Sequence, residues 1–337
     1  MMTQPTQIRL KKRAEGVPQD DVWETTHDAP GEPADGEIAV EVQYISIDPA
    51  MRGWIVDTPS YLPPVQIGEV MRAGGLGTVT ASQSDAFQVG DVVRGRFGVQ
   101  SHYVGPVADS VKVAPEIGAN PQVLSGFGTT GMTAYFGLLD VGALKDGETV
   151  LVSGAGGAVG SVVGQIAKIK GCRVVGVAGG ADKCDTVVNR YGFDACIDYK
   201  NDNVRKAISA HCPDGVDVYF DNVGGDTLDA ALMNLAMKAR IVLCGAISQY
   251  NVMTSDGLKM RGPHNYMQLL VKRARMEGFV VLDYAAQFPE AIAEMAGWQS
   301  EGKLVLDEHV VEGIENFPEA LRMLFDGRNT GKLMVQV

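Results

Sequence analysis

One stretch of the chain, Thr149 to Lys170, constrains the fold more than any other. The letters TVLVSGAGGAVGSVVGQIAKIK begin with β-branched and apolar residues, and Gly154, Gly157 and Gly160 then follow at a spacing of three. Apolar residues resume at helical spacing, so the pattern predicts a strand, a tight turn and a helix. Such a turn lets backbone N–H groups and the positive end of a helix dipole approach a diphosphate. In this context the glycines favour a dinucleotide site over an ordinary turn between a strand and a helix.

Composition limits the remaining possibilities. A length of 337 residues is typical of about two domains. The net charge of −12 argues against a nucleic-acid partner, whose protein surface is usually basic. The five cysteines form no CxxC pair, which indicates reduced thiols rather than a disulfide framework or a zinc cluster. No apolar run is long enough to span a membrane, and no signal-peptide core is visible, so we expect a soluble cytoplasmic protein.

The pattern of elements changes twice along the chain. Residues 1–122 are β-rich, with the alternating segment EIAVEVQYISI and recurrent turn signals. Residues 123–304 alternate strands with helices, including a predicted helix from Asp226 to Met237 and a sixth strand at Arg275–Leu282. Repeated βα units predict an α/β fold with a parallel, doubly wound sheet. The tail, residues 305–337, is expected to return to the first domain, so that the nucleotide domain is inserted.

The end of the second predicted βα strand bears on the choice of nucleotide. Proteins that bind NAD usually place an acid there for the ribose hydroxyl. This strand ends in Ala178-Gly179-Gly180, and Lys183 follows within one helical turn. The missing acid and the added cation favour NADP over NAD, although Asp182 stands beside the lysine. The local alternative for Lys183 is a solvated lysine at a helix start.

With these residues in view, the chain resembles the medium-chain dehydrogenase/reductase superfamily. It is most similar to the zinc-free branch that holds prostaglandin reductases, plant double-bond reductases and bacterial curcumin reductases. The resemblance implies a GroES-like β-rich catalytic domain with an inserted Rossmann domain. It rests on segments spread over nearly the whole chain: SIDPAMRG, PPVQIGEVMRAGGLGTV, GMTAYFGLLDVG, GAGGAVGSVVGQIAKIKGCRVVG, FDNVGG, CGAISQYN, RMEGFVV and GRNTGK.

The same resemblance implies a set of NADP contacts, carried over where the residues match. The local alternatives are a helix cap for Tyr199, a turn for Asn222 and core packing for Phe279. The implied contacts fall in the glycine turn, at several strand ends and in the tail: Thr133, Gly154, Gly157, Ala158, Val159, Gly160, Ser161, Lys183, Tyr199, Asn222, Cys244, Gly245, Ala246, Ile247, Ser248, Tyr250, Phe279, Val280, Val281 and Asn329.

Two departures from related sequences matter. The zinc-dependent relatives carry a cysteine, a His-Glu pair and a four-cysteine lobe, and this chain has none of them. We therefore expect no catalytic metal. The branch often has a tyrosine where this chain has Ala50, and plant members have one where it has Val271. These differences leave the proton donor open.

The chemistry suited to such a site is conjugate reduction of an enone or enal. Hydride addition at the β-carbon leaves negative charge on the carbonyl oxygen as an enolate, and a proton then reaches the α-carbon from a tyrosine or water. Tyr61 is the first candidate donor, and Tyr266 and Tyr250 are alternatives. The alternative role for Tyr61 is a packing or substrate-wall aromatic. The resemblance also suggests a homodimer.

Two other functions stay open from the sequence. The same fold could serve an NADPH:quinone reductase. The chain could also be an NADPH-binding sensor without turnover, since it keeps the binding pattern but lacks two of the branch's tyrosines.

Overall fold

The structure, a computed structural model, describes residues 4–115, 117–254, 257–258 and 260–337. Within this range the chain forms two compact units. The first unit contains residues 1–124, 250–260 and 308–337, and the second contains residues 125–249 and 261–307. Residues 250–260 therefore group with the first unit, whereas the predicted boundaries assigned them to the nucleotide domain.

The N-terminal part of the first unit is built mainly of short strands separated by turns. Its regular elements are β1 (Gln7–Leu10), β2 (Trp23–Thr26), β3 (Glu37–Ser46), α1 (Met51–Trp54), β4 (Gly75–Ser82), β5 (Val92–Gly95), β6 (His102–Pro106) and β7 (Ser110–Lys112).

From residue 125 onward, helices and strands alternate. The elements are α2 (Thr129–Phe136), β8 (Thr149–Ser153), α3 (Ala158–Ile169), β9 (Arg173–Ala178), α4 (Ala181–Asp185), β10 (Ala195–Asp198), α5 (Val204–His211), β11 (Val216–Asp221), α6 (Gly225–Leu232), β12 (Leu235–Leu243), β13 (Met253–Thr254), β14 (Gly257–Leu258), α7 (Met267–Lys272), β15 (Arg275–Gly278), α8 (Phe288–Ser300), β16 (Glu308–Glu312), α9 (Phe317–Asp326) and β17 (Lys332–Gln336).

The main sheet of the first unit combines both ends of the chain. Its strands run in the order β16-β17-β3-β4-β5-β7, and β6 also pairs with β3. The C-terminal strand β17 pairs with β3, with Met334 opposite Ser46. The apolar residues of β3 alternate inward, and Ile38, Val40 and Val42 are buried in one core with residues of α9.

The second unit contains a six-stranded sheet in the order β10-β9-β8-β11-β12-β15, and each of its neighbouring pairs is parallel. Both faces are covered, because successive residues of one strand enter different cores. In β8, Val150 and Val152 belong to the core that includes α3, while Leu151 belongs to the core that includes α6. This arrangement confirms the predicted doubly wound parallel sheet.

Two predicted elements in this unit were wrong in extent. The helix predicted at Asp226–Met237 ends at Leu232, and β12 already begins at Leu235. Asn234 marks the break, because its side chain donates to the carbonyl of Ala230 and its own carbonyl accepts the N–H of Val216. Pairing in the sheet has thus overridden the helix propensity of this segment.

The predicted sixth strand, Arg275–Leu282, is also shorter in the structure. Strand β15 stops at Gly278, and residues 281–287 form a 3-10 helix. At the other end of the chain, β1 and β2 were not predicted. They form an antiparallel pair in which Arg9 lies opposite Glu24.

No helix in the described ranges combines the length and the apolar character needed to cross a membrane.

Candidate functional site

The carboxyl ends of the parallel strands gather most of the predicted cofactor residues in the second unit. The glycine turn follows β8, Gly179 follows β9 and Tyr199 follows β10. On the other side of β8, Asn222 follows β11 and Cys244 follows β12. The chain order reverses between β8 and β11, which is where open parallel sheets bind ligands.

The conformation of the turn after β8 depends on its glycines. Gly154 has a φ of +63°, a left-handed conformation that favours glycine. A Cβ on Gly160 would lie 2.3 Å from the carbonyl oxygen of Gly154, so the helix can approach the turn only with glycine there. Gly157 caps α3 without a side-chain hydrogen bond, and the first N–H groups of the helix therefore remain available to an anion. These features fit a dinucleotide diphosphate.

Lys183 on α4 lies against this turn. A Cβ on Gly156 would come within 2.6 Å of its Cγ and 2.8 Å of its Cδ, so the aliphatic stem occupies the space that glycine leaves. The lysine is therefore packed on the glycine turn as well as placed at a helix start. Its position suits a cation for the 2′-phosphate of NADP.

Tyr199 lies beside the end of β9. Its ring atoms would be 2.8 Å from a Cβ on Gly179, and its backbone N–H donates to the carbonyl of Ala178. The ring is about half exposed, at 49%. Tyr199 caps neither α4 nor α5, whose N-cap residues are Gly180 and Asn203.

The sequence did not single out Asp198, which precedes this tyrosine. Its Oδ1 accepts the N–H of Gly180 at 2.7 Å, and its Oδ2 accepts the Asn201 amide. These bonds lower the pKa of Asp198, with the Gly180 N–H as the largest cause. The carboxylate thus holds the turn between β9 and α4.

Asn222 is tied to the strand that precedes the glycine turn. Its Nδ2 donates to the carbonyl of Ser153 at 2.7 Å, and its own N–H donates to the Ser153 hydroxyl. Its Cβ lies 3.5 Å from where a Cβ on Gly154 would stand. The amide therefore holds neighbouring strand ends together and also borders the turn.

Asp221, at the end of β11, is a buried carboxylate that the sequence reading missed. Its Oδ1 accepts four hydrogen bonds, from Tyr219, Ser153, Val223 and Gly224. Its Oδ2 is buried and has no hydrogen-bond partner in the described chain. Burial raises the pKa of Asp221, and the four bonds oppose that rise. An acid directly after the apolar run Val218–Phe220 was the available signal.

The ends of β12 and β15 supply the remaining predicted segments of this unit. The N–H groups of Cys244 and Gly245 both donate to the carbonyl of Asp221, and the Ser248 hydroxyl donates to the carbonyl of Val223 at 2.6 Å. Burial raises the pKa of the Cys244 thiol to about 12, with Asp221 adding to the rise. The thiol is therefore neutral near pH 7, and it is better suited to lining a binding site than to acting as a nucleophile.

Phe279 and Thr133 are held by contacts with α2 and its continuation. A Cβ on Gly137 would lie 2.6 Å from Cζ of Phe279, whose ring also meets Tyr284 edge-on. Phe279 thus packs against the core, as its local alternative suggested. The Thr133 hydroxyl donates to the carbonyl of Thr129 at 2.7 Å.

The candidate proton donors differ in their surroundings. Tyr61 belongs to the first unit and is 54% exposed, and its Oη accepts the indole N–H of Trp54 at 3.2 Å. Tyr266 immediately precedes α7 in the second unit and is similarly exposed. Tyr250 lies in a 3-10 helix, residues 247–252. Asn329, from the tail, is buried in the first unit, where its Nδ2 donates to the carbonyl of Gly331.

Within the described residues, no cluster of three or more His, Cys, Asp and Glu side chains could hold a metal ion.

Family models match both parts of the chain. A model described as the N-terminal domain of oxidoreductase matches residues 6–113. A second, described as zinc-binding dehydrogenase, matches residues 158–297.

Known proteins are similar over almost the full length. An NADPH-dependent curcumin reductase of Escherichia coli is 40% identical, over 97% of this chain and 95% of its own. A 2-alkenal reductase (NADP(+)-dependent) of Nicotiana tabacum is 37% identical, over 98% of this chain and 97% of its own. The crystal structure of CurA in complex with NADPH from Vibrio vulnificus superposes with a TM-score of 0.92 at 40% identity, covering 98% of this chain and 99% of that one.

Proposed function

This chain belongs to the medium-chain dehydrogenase/reductase superfamily, in the branch of curcumin, alkenal and prostaglandin reductases, and from that premise we propose that it reduces the C=C bond of α,β-unsaturated aldehydes and ketones with NADPH. The observation that carries the proposal is the uncapped glycine turn after β8, with the stem of Lys183 packed over Gly156. We assign cofactor binding to the second unit, where the carboxyl ends of the parallel strands gather most of the predicted contacts.

The predicted cofactor residues have distinct parts in holding NADP. Backbone N–H groups of residues 158–160 receive the diphosphate, while Lys183 and Tyr199 receive the 2′-phosphate. Asn222 borders the ribose. The segments Cys244–Tyr250 and Phe279–Val281, with Thr133, line the nicotinamide, and Asn329 contributes from the tail.

When bound, NADPH supplies a hydride for the β-carbon of the acceptor. The chain's own part is to orient the acceptor and to donate a hydrogen bond to its carbonyl oxygen, where negative charge develops. One well-placed donor of this kind contributes about 3 kcal/mol to the transition state. Tyr61 is the preferred donor. Because the oxygen of Tyr61 accepts the indole N–H of Trp54, the hydroxyl group is polarised. Its hydrogen is not used in that bond and can be donated to another acceptor.

The reaction class is tested by NADPH oxidation with a panel of alkenals, alkenones and quinones, repeated with NADH. We expect turnover of alkenones and alkenals, with NADPH preferred. Turnover of quinones alone would replace the proposal with quinone reduction. NADPH binding without any turnover would favour a sensor.

The donor is tested by three matched variants, Tyr61→Phe, Tyr266→Phe and Tyr250→Phe. We expect kcat to fall roughly 10²-fold for Tyr61→Phe, with NADPH affinity unchanged, because only a transition-state interaction is removed. A larger loss for either of the other two variants would transfer the role to that residue.

The glycine turn is tested by Gly160→Ala, whose Cβ would meet the Gly154 carbonyl. We expect at least a roughly tenfold weaker NADPH affinity in fluorescence titration. Gly297→Ala is the control, because a Cβ there meets nothing within 4 Å. Equal affinity in both variants would remove the turn from the cofactor site.

Nucleotide choice is tested by Lys183→Met. We expect KM for NADPH to rise about tenfold and KM for NADH to stay nearly constant, because only NADPH carries the 2′-phosphate. Lys206→Met, an exposed lysine on α5, controls for net charge. A parallel rise for both nucleotides would contradict this role.

We also propose that the protein forms a homodimer through the edge of the second unit's sheet. Strand β15 is the last strand of that sheet, and the adjoining helix α7 exposes Leu270 at 71% and Val271 at 56%. A sheet edge beside exposed apolar side chains favours association with a second copy.

The dimer is tested by sedimentation of Leu270→Glu, with Val89→Glu as a control at an exposed apolar residue of the first unit. The first variant should be monomeric and the second dimeric. A monomeric wild-type protein would end this proposal.

We propose a cytoplasmic location, because the described cysteines are all free thiols, as is usual in a reducing compartment. Cell fractionation that recovered the protein outside the cytosol would refute it.

A further inference from the structure

Tyr61 lies in a loop that joins two buried residues, Ile55 and Val65. Residues 56–64, here called the Tyr61 loop, are all described and form no helix or strand. Ile55 directly follows α1, and the N–H of Val65 donates to the carbonyl of Trp54 at 2.8 Å. The two ends of the loop are therefore adjacent, while its middle contains the preferred proton donor.

Arg13 spans the base of the Tyr61 loop with one nitrogen of its guanidinium group. Its Nη1 donates to the carbonyl of Val65 at 2.5 Å and to the carbonyl of Ile55 at 3.2 Å. A guanidinium is always charged and only donates hydrogen bonds, so it suits two carbonyl oxygens that lie close together. Arg13 thus holds both ends of the loop through one charged group.

The segment that contains Arg13 is itself anchored by a second arginine. Arg52, which is buried on α1, donates through Nε to the carbonyl of Gly16 at 2.9 Å and through Nη2 to the carbonyl of Ala14 at 3.3 Å. The two arginines therefore connect the same two stretches of chain in opposite directions. This arrangement gives Arg13 a fixed support below the loop.

The hydroxyl of Tyr61 is held by a residue at the same end of the loop. Its Oη accepts the indole N–H of Trp54 at 3.2 Å, and Trp54 directly precedes Ile55, whose carbonyl Arg13 binds. An exposed loop with few contacts is mobile unless its ends are fixed. A misplacement of about 1 Å can lower a reaction rate roughly 10²-fold, so the base of this loop bears on the chemistry.

We propose that Arg13 is a positioning residue for the reduction. By closing the base of the Tyr61 loop, it holds the Tyr61 hydroxyl against Trp54 and leaves the hydroxyl hydrogen to be donated to the carbonyl oxygen of the acceptor. The inference rests on the proposed function, in which Tyr61 is the preferred donor. Arg13 acts through Tyr61 rather than by contact with the acceptor.

The kinetic test is a double-mutant cycle between Arg13 and Tyr61. The kcat and KM for an alkenone are measured with NADPH in wild type, Arg13→Met, Tyr61→Phe and the double variant. Arg13→Lys keeps the positive charge. Lys11→Met is the control, because Lys11 is an exposed cation of the same segment and its loss changes the net charge equally.

We expect Arg13→Met to lower kcat about tenfold and to leave the dissociation constant of NADPH within about twofold, because only the orientation of the donor is lost. In the Tyr61→Phe background the same change should lower kcat by less than about twofold, since the group that Arg13 positions is already absent. Arg13→Lys should recover part of kcat, and Lys11→Met should keep the wild-type value. Equal losses in both backgrounds would show that Arg13 only supports the fold, and would overturn the proposal.

A second measurement follows the contact of Tyr61 without turnover. The NMR signal of the Trp54 indole N–H, assigned with Trp54→Phe, should shift in Tyr61→Phe because the acceptor of this N–H is lost. Arg13→Met should shift the signal in the same direction, and Lys11→Met should leave it in place. An unchanged signal in folded Arg13→Met would overturn the proposal.

If Arg13→Met does not fold, Arg13→Lys decides the question. A kcat and a Trp54 signal between those of wild type and Tyr61→Phe support the proposal, and wild-type values of both overturn it.

Failure of the proposed function has a different signature. A wild-type protein that binds NADPH but reduces no alkenone or alkenal counts against the reaction, and the Trp54 signal then decides whether Arg13 holds Tyr61. Wild-type turnover that is unchanged in Tyr61→Phe removes Tyr61 as the donor and overturns the positioning role with it.

Discussion

The two units bury charges of opposite sign. In the described residues, the buried cations Arg52 and Lys332 lie in the first unit, while the buried acids Asp221 and Asp229 lie in the second. Arg52 donates to the carbonyls of Gly16 and Ala14, and Lys332 donates to the carbonyl of Ile47 and to Asp48. The first unit thus uses cations where loops present carbonyl oxygens.

The second unit presents the opposite backbone groups. After a parallel strand the chain turns into a helix, and the turn presents N–H groups near the positive end of the helix dipole. Asp221 accepts the N–H groups of Val223 and Gly224 just before α6, and Asp229 accepts that of Asn265. The comparison shows that the fold leaves different backbone groups without a backbone partner in each unit. Free carbonyl oxygens favour a buried cation, and free N–H groups favour a buried carboxylate.

The largest effect is expected for Asp221→Ala. Four donors lose their acceptor inside the protein, so the free energy of unfolding should fall by about 4 kcal/mol. Denaturant unfolding, followed by the fluorescence of Trp298 in a variant that retains only this tryptophan, reports on the second unit. A loss below about 1 kcal/mol would show that the carboxylate is dispensable there.

The corresponding change in the first unit is Lys332→Met. It removes a cation whose side chain is 2% exposed and leaves Asp48 without it, and the expected loss is about 3 kcal/mol. The loss is measured by denaturant unfolding followed through the fluorescence of Trp23. The double variant Lys332→Met, Asp48→Asn should recover part of the loss, because both charges are then absent. No recovery would mean that Lys332 acts through its carbonyl contact alone.

A smaller effect concerns pH. The pKa of Asp221 is raised in the folded protein, so the folded state binds more protons than the unfolded state above the usual pKa of a carboxyl group, about 4. Its contribution to stability is therefore present below that value and lost as the pH rises through the folded pKa. Relative to Asp221→Asn, the wild type should become less stable over this interval in Trp298 unfolding. A constant difference between the two would contradict the raised pKa.

The smallest effect is expected at the surface. Lys12 and Asp21 pair at 2.6 Å, but their side chains are largely exposed. Lys12→Ala should change the free energy of unfolding by less than about 0.5 kcal/mol, measured through Trp23. A loss comparable with that of Lys332→Met would mean that burial does not distinguish these ion pairs.

Local patterns predicted much of the second unit. Apolar periodicity and the glycines gave β8, the turn and α3, and Ala195–Asp198 is a strand as predicted. The helix predicted through Met237 failed because the letters LAMKAR suit a helix, while pairing of Leu235 with Val216 places them in the sheet. Such pairing depends on the whole sheet and has no local signal.

The sequence by itself determined the α/β class, the parallel sheet and the glycine turn between β8 and α3, because periodicity and glycine placement act over a few neighbouring residues. Only the tertiary structure decided which distant groups meet. It placed the stem of Lys183 on Gly156 and joined Asn222 to Ser153. These contacts follow from the arrangement of strands and loops, in which residues far apart in the chain share one small volume.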